Sequence, residues 1–331
     1  MAAHPVLASM PWISLADRPA ALVRADALAQ ALGLRELWLF RDDGISDTWS
    51  GSKLRKLEYL LADALARGAR RLVTFGAAGS NHAVATALFG KALGFEVRLE
   101  LAGQPKSPLV REQLLRAAAT GAEIVAIDGV SDAYEKSVRG ADRSTYVIAP
   151  GGSSVIGNVG FVAAALELYA RGAVPPDVIV AAVGTMGSVA GLLVGTALAG
   201  KKTALIGVRC SSPASSSAEA LARSAAELAD FLRRRGVGPA ELPPLRLEER
   251  AFGAGYGRPT RDGELWARRA RDLAGVELEQ TYTAKAVAAL ALLAPELREK
   301  RVLLWGSQPR YPAPPAVGCD RLPTALRGYC G

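Results

Sequence analysis

The sequence predicts an α/β protein with two lobes, each a mostly parallel sheet flanked by helices. Short apolar runs alternate with helical patterns along most of the chain, this alternation falls into two blocks, and several runs end in turns rich in glycine and serine. Such alternation is typical of parallel sheets whose faces are covered by helices. The 331 residues are long for one domain and sufficient for two lobes that share a cleft.

The first block follows a helical pattern at 20–34. Helices are indicated by apolar residues that recur every three or four positions, and strands by short apolar runs bounded by turns. On this basis we predict the strands Glu36–Phe40, Arg71–Phe75, Glu96–Leu101 and Ala122–Ile127, and the helices Lys53–Arg67, His82–Leu93 and Pro108–Thr120.

The second block repeats the alternation. We predict the strands Tyr146–Ala149, Asp177–Val183 and Ala204–Val208, and the helices Val159–Arg171 and Val189–Leu198. The helix-rich stretch 211–249 is interpreted as a surface excursion without chemistry of its own. The stretch 309–331 is rich in proline and has little periodicity, so we expect an irregular coat or tail there.

The net charge of +8 comes mostly from arginines spread along predicted helices, as at 66–71 and 233–235. No aromatic residues that could stack on bases are interleaved with these runs, so solvated helix faces are favoured over a nucleic-acid surface. No window approaches the ~18 consecutive apolar residues of a membrane span. The first twelve residues do not have the pattern of a signal peptide. We therefore expect a cytoplasmic protein with no nucleic-acid or membrane partner.

The scarcity of cysteine and histidine excludes several kinds of site. The three cysteines show no CxxC spacing, which argues against a disulfide framework or a zinc site. The two histidines are His4 and His82, so a Ser-His-Asp triad or a multi-histidine metal site would depend on His82 alone. We expect no metal.

A loop of small residues, Gly184-Thr185-Met186-Gly187-Ser188, lies between a predicted strand and a predicted helix. Glycines allow a ligand to approach the backbone closely, and free N–H groups at a helix start favour phosphate. The loop has neither the Walker A nor the GxGxxG pattern. Taken alone, an ordinary tight turn explains it equally well.

Two further turns carry polar residues beside predicted helices. Lys53 follows Ser50-Gly51-Ser52 at a helix start, where the helix dipole disfavours its charge; a neutral amine there could form an imine, although a solvated lysine is the commoner explanation. In the turn 76–82, which ends in Ser80-Asn81-His82, backbone amides could hold a carboxylate, or Ser80 or Asn81 could simply cap the helix.

Taken together and in order, these motifs resemble the D-cysteine desulfhydrase and 1-aminocyclopropane-1-carboxylate (ACC) deaminase family of pyridoxal-phosphate (PLP) enzymes. The matching segments are 50–59, 79–82, 151–154, 184–188, 255–259 and 282–286, and the similarity runs from Leu15 to Gln308. The resemblance implies a fold type II enzyme, with PLP in the cleft between the lobes. It further implies a large PLP-binding domain, 1–50 plus 161–331, and a small domain, 51–160.

The resemblance assigns roles around the cofactor. Lys53 would be the Schiff-base lysine and the base that moves the Cα proton, with Lys56 as the competing candidate. Asn81 would bond the 3′-oxygen of PLP, and Ser307 would meet its pyridine nitrogen. The phosphate would lie on the loop formed by Gly184, Thr185, Met186, Gly187 and Ser188.

The resemblance also assigns substrate contacts. Ser80 and His82 would face the substrate, and Ser80 is also a catalytic candidate. Tyr256 and Tyr282 match two active-site tyrosines that position the substrate or serve in acid–base steps; acting as a base requires a lowered pKa, which a nearby amine could supply. Thr283 occupies a position where the deaminase branch typically has glutamate.

The threonine favours a desulfhydrase-like β-elimination on a small amino acid through an aminoacrylate intermediate. Open alternatives are a β-replacement synthase in a specialised biosynthetic pathway, an ACC deaminase-like hydrolase and a non-catalytic ligand-binding relative. Retention of Lys53, Asn81 and the two tyrosines argues against the last. The family also leads us to expect a homodimer.

Overall fold

The fold is α/β with two sheets, as the sequence predicts. A computed structural model of the chain describes residues 5–17, 19–172, 175–239, 241–307, 309–311 and 316–330. The strands in these ranges are β1 (Ala21–Arg24), β2 (Glu36–Arg41), β3 (Arg71–Ala77), β4 (Glu96–Ala102), β5 (Glu123–Ile127), β6 (Thr145–Ile148), β7 (Val178–Val183), β8 (Ala204–Arg209), β9 (Leu245–Glu248) and β10 (Arg301–Gly306).

Helices surround both sheets. They are α1 (Pro5–Ala8), α2 (Asp26–Leu32), α3 (Lys53–Ala66), α4 (Asn81–Ala92), α5 (Pro108–Ala119), α6 (Val130–Gly140), α7 (Val155–Ala170), α8 (Gly187–Leu198), α9 (Ala218–Arg233), α10 (Arg261–Ala274), α11 (Thr283–Leu297) and α12 (Thr324–Arg327). Among the described helices, none is long and apolar enough to cross a bilayer.

The larger sheet has the order β1-β2-β10-β7-β8-β9, and the smaller has the order β5-β4-β3-β6. All neighbouring strands are parallel except β1 and β2, which pair antiparallel. Strands of parallel sheets are covered on both faces, which explains the nearly unbroken apolar run of β7. The smaller sheet lies wholly within 51–160, the predicted small domain, while the division into domains itself stays a prediction.

Close packing of α7 on α8 sets the position of the cleft. A Cβ at Gly191 would lie 2.5 Å from the Asn158 carbonyl oxygen, and a Cβ at Gly195 would lie 2.7 Å from the Val162 carbonyl oxygen. Only glycine permits this approach of the two helix backbones. The start of α8 is thereby held against the start of α7.

A buried ion-pair network fixes α3 against the larger sheet. The Arg55 guanidinium lies 2.7 Å from Asp42 and 2.9 Å from Glu167 of α7. The indole N–H of Trp305, on β10, donates to the other oxygen of Asp42 at 3.0 Å. Buried charges need such complete pairing, so the network holds the first turn of α3 at the end of β10.

The secondary-structure predictions were confirmed for most elements and wrong in several places. The pattern at 20–34 is not one helix, because Ala21–Arg24 pairs with β2 and only Asp26–Leu32 is helical. The helix predicted from Val159 begins at Val155, where the Ser154 side chain caps it. The elements that were not predicted are α1, α6, α10, α11, α12, β9 and β10. Helix α6 buries none of its side chains completely, and β9 has only four residues.

The C-terminal stretch differs from the expected tail. Cys319 and Cys330 form a disulfide, which corrects the expectation drawn from cysteine spacing. The pairing depends on the chain turning back through α12, which no spacing rule detects. Leu322 and Leu326 are buried in the core, and the Tyr329 hydroxyl accepts from the backbone N–H of Gln104 at 2.8 Å. This segment is therefore anchored to the smaller sheet.

Candidate active site

A cavity of about 600 Å³ opens at the carboxyl ends of the parallel strands. Ligands of open α/β sheets bind at these ends, where the connecting loops converge. Both sheets contribute to the wall of this cavity. Wall residues at or after strand ends include Gly76, Gln104, Pro150, Gly184, Ser211 and Ser307.

Lys53 is the first residue of α3, and its half-buried side chain lines the cavity. Burial lowers the pKa of its amine to about 8, although the negative charge of Glu279 opposes the shift. Its position at a helix start acts in the same direction as burial. About a tenth of this amine is therefore neutral at pH 7, far more than for an ordinary lysine.

Lys56 lies one turn further along α3 and is completely buried. Its Nζ donates to the carbonyl oxygen of Gly151 at 3.1 Å and to the hydroxyl of Ser153 at 2.8 Å. Burial holds the pKa of Lys56 well below its ordinary value, and the charge of Lys53 adds to this effect. Lys56 does not line the cavity, so of the two lysines Lys53 is the one that a ligand in the cavity can contact.

The loop between β7 and α8 packs directly over Lys56. A Cβ at Gly187 would lie 2.7 Å from both the Lys56 Nζ and the Ser153 Oγ, and it would also clash with the Asn158 side chain. Met186, with φ of 65°, is the one non-glycine residue with positive φ among the described residues. Within this strained turn the Gly187 N–H donates to the Thr185 carbonyl oxygen at 2.8 Å, and Ser188 in the first turn of α8 lines the cavity. A helix start at a cavity wall is suited to an anion.

Two buried polar atoms near this loop have no hydrogen-bond partner in the described structure: the Oδ1 of Asn158 and the Nδ1 of His82. Burial, together with the charges of the two lysines on α3, holds the pKa of His82 well below its ordinary value. The His82 ring is therefore neutral. Orphaned buried groups of this kind are expected where a ligand completes the site.

The turn between β3 and α4 places three polar residues at the cavity: Ser80, Asn81 and His82. Ser80 is the N-cap of α4, and its hydroxyl accepts from the backbone N–H of Ala83 at 3.2 Å. Helix capping, one of the two explanations considered for this turn, is thus observed. The contacts of Ser80 and His82 with a substrate stay predictions.

Tyr256 and Tyr282 form a pair on the opposite wall. The Tyr282 hydroxyl donates to the Tyr256 hydroxyl at 3.1 Å, and the ring centroids are 6.0 Å apart. Burial raises the pKa of Tyr256, and burial followed by the proximity of Tyr256 raises the pKa of Tyr282 well above its ordinary value. Both phenols therefore keep their protons at neutral pH, and the geometry does not supply the lowered pKa that action as a base would require.

Glu279 organises the segment that carries Tyr282, and the sequence analysis missed it. Its carboxylate accepts from the backbone N–H groups of Thr281, Tyr282 and Thr283 at 2.7–2.8 Å. Thr283 accepts in return from the Glu279 N–H at 3.1 Å. No local motif indicated it, because a capping box has its acidic residue three positions after the Ser or Thr, whereas Glu279 precedes Thr283 by four.

Thr283 itself is buried and does not line the cavity. Its predicted substrate contact stays a prediction that this geometry does not support. The interpretation of 211–249 as lacking chemistry needs correction, because Ser211, Ser212 and Ser215 line the cavity after β8. A serine cluster behind a predicted strand was the available signal.

Ser307 follows β10 and lines the cavity. Its carbonyl oxygen accepts from the hydroxyl of Ser52 at 3.1 Å, which ties the turn after β10 to the residue before Lys53. The structure therefore places the end of β10 beside the start of α3.

Comparison with known proteins decides the class. A family profile described as pyridoxal-phosphate dependent enzyme matches residues 13–307. The chain belongs to this family of PLP-dependent enzymes. A D-cysteine desulfhydrase from Yersinia enterocolitica is 34% identical over 298 residues, covering 86% of this chain and 88% of that protein.

Solved structures agree with this family assignment. A crystal structure of an ACC deaminase homologue superposes on this PLP-dependent enzyme with a TM-score of 0.77 and 29% identity, covering 92% of this chain and 93% of the other. The processed form of threonine deaminase isoform 2 from Solanum lycopersicum gives a TM-score of 0.60 at 17% identity and shows likeness of fold alone. The predicted fold type II architecture is confirmed.

The residues present fit the cofactor of the family. The cavity offers a primary amine of lowered pKa in Lys53. Gly184, Thr185 and Ser188 of the turn at the start of α8 also line its wall. Phosphate is the group that such a turn binds. An aldehyde that also carries a phosphate therefore matches the two ends of the site.

Proposed function

We propose that this PLP-dependent enzyme catalyses β-elimination on a small amino acid, with D-cysteine as the substrate. The observation that carries the proposal is the shared cavity of Lys53 and the Tyr256–Tyr282 pair, which combines a partly neutral amine with two protonated phenols. The identity to a D-cysteine desulfhydrase supports the choice of substrate.

The cofactor would be held at both ends of the site. Lys53 would join its aldehyde carbon, the loop 184–188 would receive its phosphate, and Asn81 and Ser307 would approach its ring. Lys56 lies beneath the phosphate loop, where its amine holds Ser153 and the backbone of Gly151 in place. Bound PLP supplies an electron sink for the negative charge that develops at the Cα of an amino acid.

Lys53 would take the proton from Cα. Its pKa of about 8 lies near operating pH, so the amine is available as a base and its conjugate acid can return the proton. The bond from Cβ to sulfur would then break with its electron pair leaving on sulfur. The products after addition of water are pyruvate, ammonia and sulfide.

Tyr256 would protonate the leaving sulfur. Tyr282 donates its own proton to the Tyr256 oxygen, so the Tyr256 proton is the one free to point into the cavity. The raised pKa of Tyr256 keeps it protonated at neutral pH. Amides at the start of α4 would hold the substrate carboxylate beside Ser80 and His82.

The experiment supplies the purified, PLP-saturated enzyme with D-cysteine, L-cysteine, D-serine or ACC in separate reactions, and it measures pyruvate, 2-oxobutanoate, sulfide and the substrate that remains. We expect equal amounts of pyruvate and sulfide from D-cysteine and little from the others. Consumption of D-cysteine with sulfide but no pyruvate would favour β-replacement. 2-Oxobutanoate from ACC would favour the deaminase. Inertness with every substrate would contradict the proposal.

The cellular setting belongs to the same proposal. We infer that the enzyme works in the cytoplasm as a homodimer, without nucleic-acid or membrane partners. Its elution in size-exclusion chromatography tests the oligomeric state.

A further inference from the structure

The side chain of Asn81 is held by two donors from distant parts of the chain. Its Oδ1 accepts from the Nε2 of Gln113, on α5, at 2.5 Å. The same oxygen accepts from the hydroxyl of Tyr311, in the C-terminal segment, also at 2.5 Å. Asn81 itself lines the cavity at the start of α4. With both donors on the oxygen, the amide NH₂ of Asn81 is the end left for a ligand.

The orientation of this amide follows from the chemistry of its neighbours. Gln113 is completely buried, and its Oε1 accepts from the Arg116 guanidinium at 3.4 Å. A guanidinium can only donate, so the oxygen of Gln113 faces Arg116 and its NH₂ faces Asn81. The Asn81 atom that meets this NH₂ is therefore the oxygen. Reversing either amide would bring two donors or two acceptors together.

Arg116 also holds the second donor in place. Its guanidinium lies 4.5 Å from the centroid of the Tyr311 ring and is 3.1 Å from the Glu112 carboxylate. The Trp49 ring lies 6.2 Å from the Tyr311 ring. Burial raises the pKa of Tyr311, which keeps its hydroxyl protonated as a donor. One buried cation thus orients both groups that bond Asn81.

We propose that Arg116, Gln113 and Tyr311 are positioning residues that lock the NH₂ of Asn81 toward the 3′-oxygen of PLP. The inference rests on the role proposed above for Asn81. A fixed donor stabilises negative charge on the 3′-oxygen. In bound PLP this oxygen would share a proton with the nitrogen that joins Lys53 to the cofactor. A hydrogen bond from Asn81 would compete for the same oxygen, so the nitrogen would lose its proton at a lower pH.

The decisive variant is Gln113→Glu. The new carboxylate can pair with Arg116 but offers only acceptors to Asn81, so the Asn81 amide must reverse and present its oxygen to the cofactor. We expect the pH midpoint of the visible cofactor band to rise by about one unit, and PLP to bind about tenfold more weakly. Tyr311→Phe removes one donor while keeping the ring on Arg116, and we expect a smaller rise in the same direction.

The control is Tyr329→Phe, which removes another hydroxyl contact of the C-terminal segment with Gln104 and should leave the midpoint unchanged. Thermal unfolding of each apoenzyme separates loss of stability from loss of orientation. Both spectral readouts are taken without substrate, so they do not depend on the reaction.

Three outcomes of these titrations decide the inference. Rises in Gln113→Glu and Tyr311→Phe, with no change in Tyr329→Phe, support it. Unchanged midpoints in both variants, with Asn81→Ala shifting the midpoint, overturn the positioning role alone. An unchanged midpoint in Asn81→Ala overturns the role of Asn81 and the inference with it.

Discussion

Lys53 and Lys56 lie one turn apart at the start of the same helix, yet only Lys53 reaches the cavity. Lys56 instead donates to Gly151 and Ser153 beneath the loop that begins α8. The two amines repel each other, which contributes to the lowered pKa of Lys56. Two lysines of one motif thus have different surroundings, one at the cavity and one under the loop that begins α8.

This difference between the two lysines predicts that replacing Lys53 and replacing Lys56 will have different effects on bound PLP. Lys53→Ala should abolish the visible band of lysine-bound PLP at every PLP concentration. Lys56→Met should retain the band at saturating PLP but weaken PLP binding about tenfold. The variant loses the two hydrogen bonds that hold Gly151 and Ser153, and the Ser153 hydroxyl in turn bonds Thr185 of the loop. Absorbance titration of each apoenzyme with PLP measures both effects. A band that survives in Lys53→Ala and disappears in Lys56→Met would reverse the assignment.

The lowered pKa of Lys53 predicts how cofactor attachment depends on pH. Only the neutral amine attacks an aldehyde, and burial brings the pKa of this amine down to about 8. The rate at which apoenzyme regains the visible band should therefore rise about tenfold per unit below pH 8 and level off above it. Stopped-flow absorbance between pH 6 and 9.5 gives this profile. A rate that still rises tenfold per unit at pH 9.5 would show that Lys53 is an ordinary, solvated lysine.

The close packing around Gly187 predicts that the variant Gly187→Ala selectively loses affinity for PLP. The added Cβ would meet Lys56 and Ser153 at 2.7 Å, so the loop must move away from the helix start. We expect PLP affinity to fall at least tenfold. Gly140→Ala, at the end of α6, is the matched control because nothing lies within 4 Å of its new Cβ. Equal PLP affinities in the two variants would remove the loop from the cofactor site.

The tyrosine pair predicts coupled kinetic effects. Tyr256→Phe should lower kcat about 100-fold through loss of a proton donor, with little change in PLP affinity. Tyr282→Phe should lower kcat less, because the Tyr282 hydroxyl acts through its hydrogen bond to the Tyr256 oxygen. The double variant should then be no slower than Tyr256→Phe alone. Tyr146→Phe, whose hydroxyl bonds Asp63 outside the cavity, serves as the control. Fully additive losses would mean that the two hydroxyls act independently.

Local sequence patterns predicted most of the fold because they record local physics. The nearly continuous apolar run of β7 identifies a strand buried on both faces, and the structure confirms it. The four residues of β1 fit a strand or a helix equally well, and only their pairing with β2 decides between the two. Similarly, the disulfide between Cys319 and Cys330 depends on a turn of the chain that spacing cannot show.

The cavity-lining turns were predictable because each one follows a recognisable strand. Lys53, Asn81 and Ser188 all lie in the first turns of helices behind small polar turns, and the structure brings these three residues to one cavity. Tyr311 and Gln113 were missed since neither lies in a turn motif. Tyr311 meets Asn81 across 230 positions of sequence, and no local pattern encodes such a contact.

The most direct test of the central claim is chemical mapping of the cofactor. The PLP-loaded enzyme is reduced with borohydride, which makes the lysine linkage permanent, and its peptides are analysed by mass spectrometry. We expect a phosphopyridoxyl group on Lys53 and on no other lysine, and less label when D-cysteine is in excess at the moment of reduction. Labelling of Lys56 instead, or no labelling of any lysine, would contradict the assignment of Lys53.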